Sequence, residues 1–135
     1  MTEKGKRILV IDDERSIVIY LTTVLEDHGY EVVSALDAEE GAAAARASRP
    51  DLVCMDIMMP KQSGIGLYQD FKKDKNMSSV PVIFISAFNH IRDLRDPIAF
   101  RKMIPDLKIP KPEVCLEKPI QVPVFLEKIE ELIGK

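Results

Sequence analysis

Short apolar runs that end abruptly on a polar residue alternate, along this chain, with stretches whose apolar residues recur at helical spacing. Ile8 to Ile11 stops at Asp12, Asp13 and Glu14; Leu52 to Met55 stops at Asp56; Val80 to Ile85 stops at Ser86. Glu31 to Ala35 reads as a less apolar strand, and Val114 to Leu116 as a short last one that ends near Lys118 and Pro119. After the first run, Ile17, Tyr20, Leu21, Val24 and Leu25 follow a helical period, and Gly29 supplies the stop. Asp37 with Glu40 has the form of a capping box, opening an alanine-rich helix that ends before Pro50. A loop with Met58, Met59, Pro60 and Gly64 leads into a helix around Ile65 to Lys73, and Val122 to Ile133 is an amphipathic final helix. Strands that alternate with helices pair in parallel, and runs without polar alternation are buried on both faces. The pattern therefore predicts an α/β fold, a doubly wound five-stranded parallel sheet with helices on both faces.

The segment from Phe88 to Pro112 breaks this rhythm. It holds Pro97, Pro105, Pro110 and Pro112, which no single helix could contain. Asp96 followed by Pro97 suits an N-cap and first helical position, so Pro97 to Met103 is expected to form its own short helix, with the rest irregular. With 135 residues the chain fits one domain, 1–135, with an atypical extended segment at 88–112.

Composition excludes more than it selects. A net charge of −3 leaves no surplus positive field for nucleic acid or an anionic membrane, so neither is expected as a direct partner. Cys54 and Cys115 have no disulfide or zinc spacing, which favours the reducing cytoplasm. Met1 to Arg7 does not read as a signal peptide, and no apolar stretch reaches the ~18 residues needed to cross a bilayer.

In an open parallel sheet, ligands bind beyond the carboxyl ends of the strands. Asp12 and Asp13 follow the first strand, Asp56 the third, Ser86 the fourth and Lys118 the fifth, which gathers three carboxylates, a hydroxyl and an ammonium on one edge. Clustered carboxylates call for a cation, and hard oxygen donors that leave positions open suit Mg²⁺ alongside a phosphate. A carboxylate can then attack phosphorus to give an acyl phosphate, with Lys118 neutralising charge and the Ser86 hydroxyl donating to a phosphoryl oxygen.

These residues are similar to the receiver domain of two-component response regulators, the CheY-like family. The resemblance rests on Ile8-Leu9-Val10-Ile11-Asp12-Asp13-Glu14, Met55-Asp56-Ile57-Met58-Met59-Pro60, Gly64, Ser86-Ala87 and Lys118-Pro119, and runs from about Arg7 to the last helix. It implies the flavodoxin-like strand order 2-1-3-4-5. It also implies Asp56 as phosphoacceptor, and Asp13 and Asp56 as direct Mg²⁺ ligands. Asp12 would act through a water, the Met58 backbone carbonyl would complete the protein ligands, and Ser86 and Lys118 would contact the phosphoryl group. A cis bond before Pro119 belongs to the same pattern. The implied partners are a histidine kinase or histidine phosphotransfer protein and a downstream protein. Such a domain promotes its own phosphorylation and dephosphorylation and is not an ordinary enzyme.

Simpler readings exist for each residue. Asp12 and Asp13 could be helix caps, Ser86 a turn former and Lys118 a solvated lysine; Met55, Met58 and Met59 are packing residues rather than soft-metal ligands. His28 and His90 are surface or cap residues. The alternative function is a pseudo-receiver, a protein interaction module independent of phosphorylation. A phosphohydrolase acting on free substrates lacks a general acid, since Met58 stands two residues after Asp56. Two departures from the resemblance stand out. Cys115 occupies the place where most receivers carry Tyr or Phe, and the interval from Ser86 to Lys118 is roughly ten residues longer than usual. The long segment is expected to replace the usual signalling surface. Met58 and Phe88, both apolar, are expected to flank the path of water to the phosphoryl group and so to slow its loss.

Overall fold

The computed structural model describes residues 5–59 and 62–134; Met1–Lys4, Pro60, Lys61 and Lys135 lie outside the described residues. Its centre is a five-stranded parallel sheet in the order β2-β1-β3-β4-β5, formed by β1 (Arg7–Ile11), β2 (Glu31–Ala35), β3 (Leu52–Met55), β4 (Val82–Ser86) and β5 (Val114–Glu117). Every residue of β3 and β4 is buried, whereas the edge strands β2 and β5 are largely half-buried. That contrast is why β1, β3 and β4 read as unbroken apolar runs and β2 does not.

Alternate strand residues face opposite sides and so define two layers. Ile8, Val10, Leu52, Cys54, Ile83 and Ile85 pack with α1 (Arg15–Asp27) through Val18, Leu21 and Leu25, and with α6 (Val122–Ile133) through Phe125 and Ile129. Leu9, Ile11, Val53, Met55, Val82 and Phe84 form the other core. On that side lie α2 (Ala38–Ala47), α3 (Gly64–Lys73), α4 (Phe88–Arg95) and α5 (Pro97–Met103). The helices on this face are shorter than the ~12–15 residues an isolated helix needs, so they stand on packing rather than propensity.

Local signals set most boundaries. Gly29, at φ 89°, closes α1 in a conformation that L-residues avoid. The Asp37 carboxylate accepts from the Glu40 N–H at 2.8 Å and caps α2; the return bond of a capping box is only a long 3.5 Å approach of Glu40 to the Leu36 N–H. Ser63 caps α3, and a side chain at Gly64 would collide with the Asp56 carbonyl oxygen, so α3 starts directly against the residue that ends β3. β4 starts at Val82 rather than Val80, because Pro81 has no N–H to give the ladder.

The expectation of an irregular chain from Phe88 to Asp96 is corrected: Phe88–Arg95 is helical. Ile91 and Leu94, three apart, are buried against the sheet, and this tertiary anchor outweighs the lack of a side-chain cap at Ala87. The helix at Pro97–Met103 is present, with the Asp96 carboxylate accepting from the Ile98 N–H at 2.9 Å. The chain beyond it is non-repetitive but anchored. Phe100, Ile104 and Ile109 are buried in the second core, and Nη1 of Arg101 reaches the carbonyls of Ile104, Asp106 and Ile109 at 3.3, 2.9 and 3.0 Å. The hydroxyl of Tyr68, on α3, donates to the Pro110 carbonyl at 2.7 Å. Lys72 pairs with Glu113 at 3.6 Å, and Glu113 in turn accepts the Val82 N–H at 2.9 Å, which ties the entry of β5 to that of β4.

Candidate acidic site at the carboxyl edge of the sheet

Asp12 continues β1 and Asp56 continues β3. The Asp12 N–H donates to the Ala35 carbonyl at 3.1 Å and the Asp56 N–H to the Ile11 carbonyl at 3.1 Å, so the ladder itself fixes both backbones. Ser86 is the last residue of β4, and its carbonyl accepts the Lys118 N–H at 2.9 Å, which holds Lys118 at the end of β5. Each side chain is therefore placed by a strand end, the most rigid origin this fold offers.

Among the described residues, Asp12, Asp56 and Ser86 are the polar or charged ones classed as buried, with exposures of 3%, 6% and 2%. All three belong to this one cluster. Their side chains meet directly: Ser86 Oγ donates to Asp56 Oδ1 at 2.6 Å, and Lys118 Nζ lies 3.3 Å from Asp56 Oδ2 and 3.1 Å from Asp12 Oδ2. Asp13 is exposed, yet one carboxylate oxygen from each of Asp12, Asp13 and Asp56 falls within 4.8 Å of the others. The Met58 N–H also approaches Asp56 Oδ1, at 3.4 Å, and the Met58 side chain points outward. The peptide bond between Lys118 and Pro119 is cis.

The capping interpretation of the two leading aspartates does not describe this arrangement. The N-cap of α1 is Glu14, with no side-chain cap bond, while Asp12 Oδ1 accepts the Glu14 N–H at 2.9 Å and turns the chain away from the strand. Glu14 itself is a member that the sequence reading quoted but gave no task. Its carboxylate lies 3.5 Å from Lys118 Nζ, so this ammonium faces three carboxylates. The run of three acids after β1 was the available signal.

Burial pushes the Asp12 carboxyl above the ordinary carboxylate value, and the Glu14 N–H and Lys118 only partly offset this; the nearby Asp56 charge adds to the rise. Burial alone would lower the Lys118 ammonium, but its hydrogen bond to Asp12 and the charges of Asp56 and Asp12 carry it above its usual value. Lys118 is thus held firmly as a cation among anions. The site has hard oxygen donors, one fixed positive charge and one fixed hydroxyl, a set suited to an oxyanion and a divalent cation of Mg²⁺ type.

His28 caps the end of α1, its Nδ1 2.9 Å from the Val24 carbonyl, and His90 lies on α4. Cys54 is buried and Cys115 half-buried, both as free thiols. Among the described residues no helix is long and apolar enough to cross a membrane.

Comparison with known proteins gives the same frame. The sequence model of the family described as the response regulator receiver domain matches residues 8–103. The chain is 43% identical over 88 residues to the probable transcriptional regulator ycf27 of Porphyridium aerugineum, which takes in 65% of this chain and 35% of that protein. It is 42% identical over 83 residues to the alkaline phosphatase synthesis transcriptional regulatory protein PhoP of Bacillus subtilis, covering 62% of this chain and 34% of that one. The chain thus spans about a third of the length of these curated relatives. A putative response regulator from Chloroflexus aurantiacus superposes with a TM-score of 0.81 over 98% of this chain and 100% of its own; at 21% identity, that likeness speaks for the fold.

Proposed function

This chain belongs to the response regulator receiver domain family, and we propose that it is a phosphoryl-accepting member of it, with Asp56 as the acceptor. What supports the proposal is the convergence of Asp56 with Ser86, Lys118, Asp12 and Asp13 at one sheet edge, where Asp12, Asp56 and Ser86 are buried and Asp56 bonds to both Ser86 and Lys118. A buried polar group without such a role carries a desolvation cost and no compensation beyond its own hydrogen bonds.

In the proposed reaction an oxygen of the Asp56 carboxylate attacks phosphorus. The bond from phosphorus to the donor's imidazole nitrogen breaks, and the imidazole leaves with the electron pair. Lys118 sits where negative charge on the transferring group is neutralised, and the Ser86 hydroxyl, which now donates to Asp56, is free to turn its proton to a phosphoryl oxygen. Asp12, Asp13 and Asp56, with the Met58 backbone carbonyl, are the residues that would hold Mg²⁺. Its part is charge neutralisation of the phosphoryl oxygens. The three carboxylates fit such an ion, since Asp12 and Asp56 at present share one ammonium between them.

The donor is a histidine kinase or histidine phosphotransfer protein, and the phosphorylated form changes its affinity for a downstream protein. The chain turns over no separate metabolite in this scheme. Residues 1–135 make up one domain in this scheme, in a reducing cytoplasm where both thiols remain free.

Intact mass after incubation with acetyl phosphate, with and without Mg²⁺, tests the acceptor. A Mg²⁺-dependent gain of one phosphoryl group, lost in Asp56→Asn, is expected. No gain in the native protein, with Mg²⁺ binding observed separately, would sink the proposal in favour of a module that acts without phosphorylation.

A further inference from the structure

Glu14 holds a position whose helix makes no use of its side chain. It is the N-cap of α1, yet its carboxylate forms no cap bond. An acid that served the helix would turn toward the free N–H groups of the first turn. This one turns the other way, and its Oε1 lies 3.5 Å from Lys118 Nζ. Of the three carboxylates around that ammonium, Glu14 is also the one outside the cluster of Asp12, Asp13 and Asp56 that would hold Mg²⁺.

An ammonium has three N–H groups to donate. Lys118 meets Asp12 at 3.1 Å, Asp56 at 3.3 Å and Glu14 at 3.5 Å, so its capacity is taken up. A phosphoryl oxygen that comes to Lys118 must displace one of the three. The Asp12 and Asp56 side chains are 4% and 8% exposed, and each has a second bond, Asp12 from the Glu14 N–H and Asp56 from Ser86 Oγ. The Glu14 side chain is 58% exposed and has the longest contact, and an exposed pair of this kind costs little to break. It also has room to move, because Glu14 and Lys118 share a cleft of about 460 Å³ walled by Ile17, Tyr20, Pro119 and Ile120. A carboxylate displaced into that cleft gives up the contact but keeps its charge beside the site.

On the reading of Asp56 as acceptor, we infer that Glu14 determines donor specificity: it is the partner that Lys118 exchanges for the phosphoryl group, and its charge favours phosphoramidates over acyl phosphates. Glu14 Oε1 can be no farther from Asp56 Oδ2 than the two contacts through Lys118 laid end to end, which is inside the ~8 Å screening length of physiological salt. A donor at Asp56 therefore feels this carboxylate. The bond from the Asp56 oxygen to phosphorus forms with either donor class. With an acyl phosphate the phosphorus–oxygen bond breaks, and a carboxylate leaves as an anion with the electron pair. With a phosphoramidate, the class to which a phosphohistidine belongs, the phosphorus–nitrogen bond breaks and the protonated nitrogen leaves as a neutral base with the pair. A fixed negative charge opposes the first departure and not the second.

Initial rates of phosphorylation of the full chain by acetyl phosphate and by phosphoramidate itself, each with Mg²⁺, give a donor ratio that a purely structural role would not move. Glu14→Gln keeps the size and removes the charge. It should raise the rate with acetyl phosphate and shift the ratio toward that donor on the order of fivefold. The shift should shrink in ~1 M salt, where the screening length falls to ~3 Å. Glu14→Asp retains the charge and should keep the ratio within about twofold of the native value. Inorganic phosphate, followed through the amide shifts of Asp56, Ser86 and Lys118, reads the exchange without chemistry, and Glu14→Gln should bind it severalfold more tightly. A fall in the acetyl phosphate rate of Glu14→Gln, a Glu14→Asp protein that behaves like Glu14→Gln, or equal affinity for inorganic phosphate would overturn the inference. Native protein that takes a phosphoryl group from neither donor overturns the acceptor reading itself. Native protein that takes it from both, at a ratio indifferent to Glu14→Gln, overturns the role of Glu14 alone.

Discussion

The carboxyl edge of the sheet and the segment from Phe88 to Pro112 are built on opposite principles. At the edge, buried polar groups are held together by charge, with Lys118 within 3.5 Å of Asp12, Asp56 and Glu14. In the segment, buried apolar groups carry the load and polar contacts only tidy the backbone: Phe100, Ile104 and Ile109 go inside, while Arg101 and Tyr68 satisfy carbonyls. One region is costly to assemble and chemically specific. The other contributes stability and leaves its outer face, with Ile98 and Leu107, in solvent. Damage to one should therefore spare the function of the other.

The largest effect is expected from Phe100→Ala. Phe100 is fully buried, and its removal opens a cavity worth ~3–5 kcal/mol. Chemical denaturation should show that loss in the midpoint, with the slope unchanged if the fold is otherwise retained. Uptake of a phosphoryl group by the remaining folded protein should proceed at the native rate. A matching fall in that rate would mean that the segment supports the carboxylate cluster after all.

Lys118→Met is the converse experiment. It keeps the length of the side chain and removes the one ammonium shared by Asp12 and Asp56. Phosphorylation by acetyl phosphate should slow by roughly 10²–10³, as when one charge-stabilising donor is taken from an active site. Hydrogen exchange within Pro97–Lys111 should be unaltered. Two carboxylates left without a counter-charge also destabilise the fold, and added Mg²⁺ should restore more stability to the variant than to the native protein.

Met58 and Phe88, 56% and 58% exposed, stand one in each region, Met58 two residues after Asp56 and Phe88 opening α4. Both are apolar, and we propose that they flank the path of water to the phosphoryl group. Met58→Asn with Phe88→Gln should speed loss of the phosphoryl group by about tenfold, which corresponds to ~1.4 kcal/mol of barrier. An unchanged lifetime would place the control of hydrolysis elsewhere.

The same comparison explains what the sequence could reveal. Asp12, Asp56 and Ser86 each follow an unbroken apolar run, so a signal only a few residues long marks a site spread over the whole chain. The parallel sheet converts those strand ends into neighbours, and this made the fold class and the five clustered side chains legible. The segment gave no such signal. Its prolines ruled out one long helix correctly, yet they also masked α4, whose start at Ala87 has no capping side chain and whose anchors, Ile91 and Leu94, make sense only against the sheet. The pair of Lys72 and Glu113 lies still further from view. Nothing near either residue suggests that they meet at 3.6 Å, because the contact is a product of packing alone.

Cys115 joins the two regions and gives the finest test of how tightly they are sewn. It pairs with Phe84 in the sheet, and its carbonyl accepts from Arg95 of α4 at 2.6 Å. Burial pushes its thiol up to about 11, with Arg95 pulling the other way and Glu113 adding to the rise. A thiol reacts as thiolate, so at pH 8 alkylation of Cys115 should be on the order of 100-fold slower than that of a free cysteine. The rate should climb about tenfold per pH unit until it levels near the raised value. Stability follows in sign: the unfolded thiol ionises first, near 9.0, so stability falls as pH rises from there toward about 11 and is undisturbed by this group below. Cys54, whose thiol complete burial also raises, should stay unlabelled throughout. Mass spectrometry of timed alkylation separates the two. If Cys115 reacts as fast as a free thiol, either the Arg95 attraction has beaten burial or β5 opens far more readily at its edge than its bond to α4 implies.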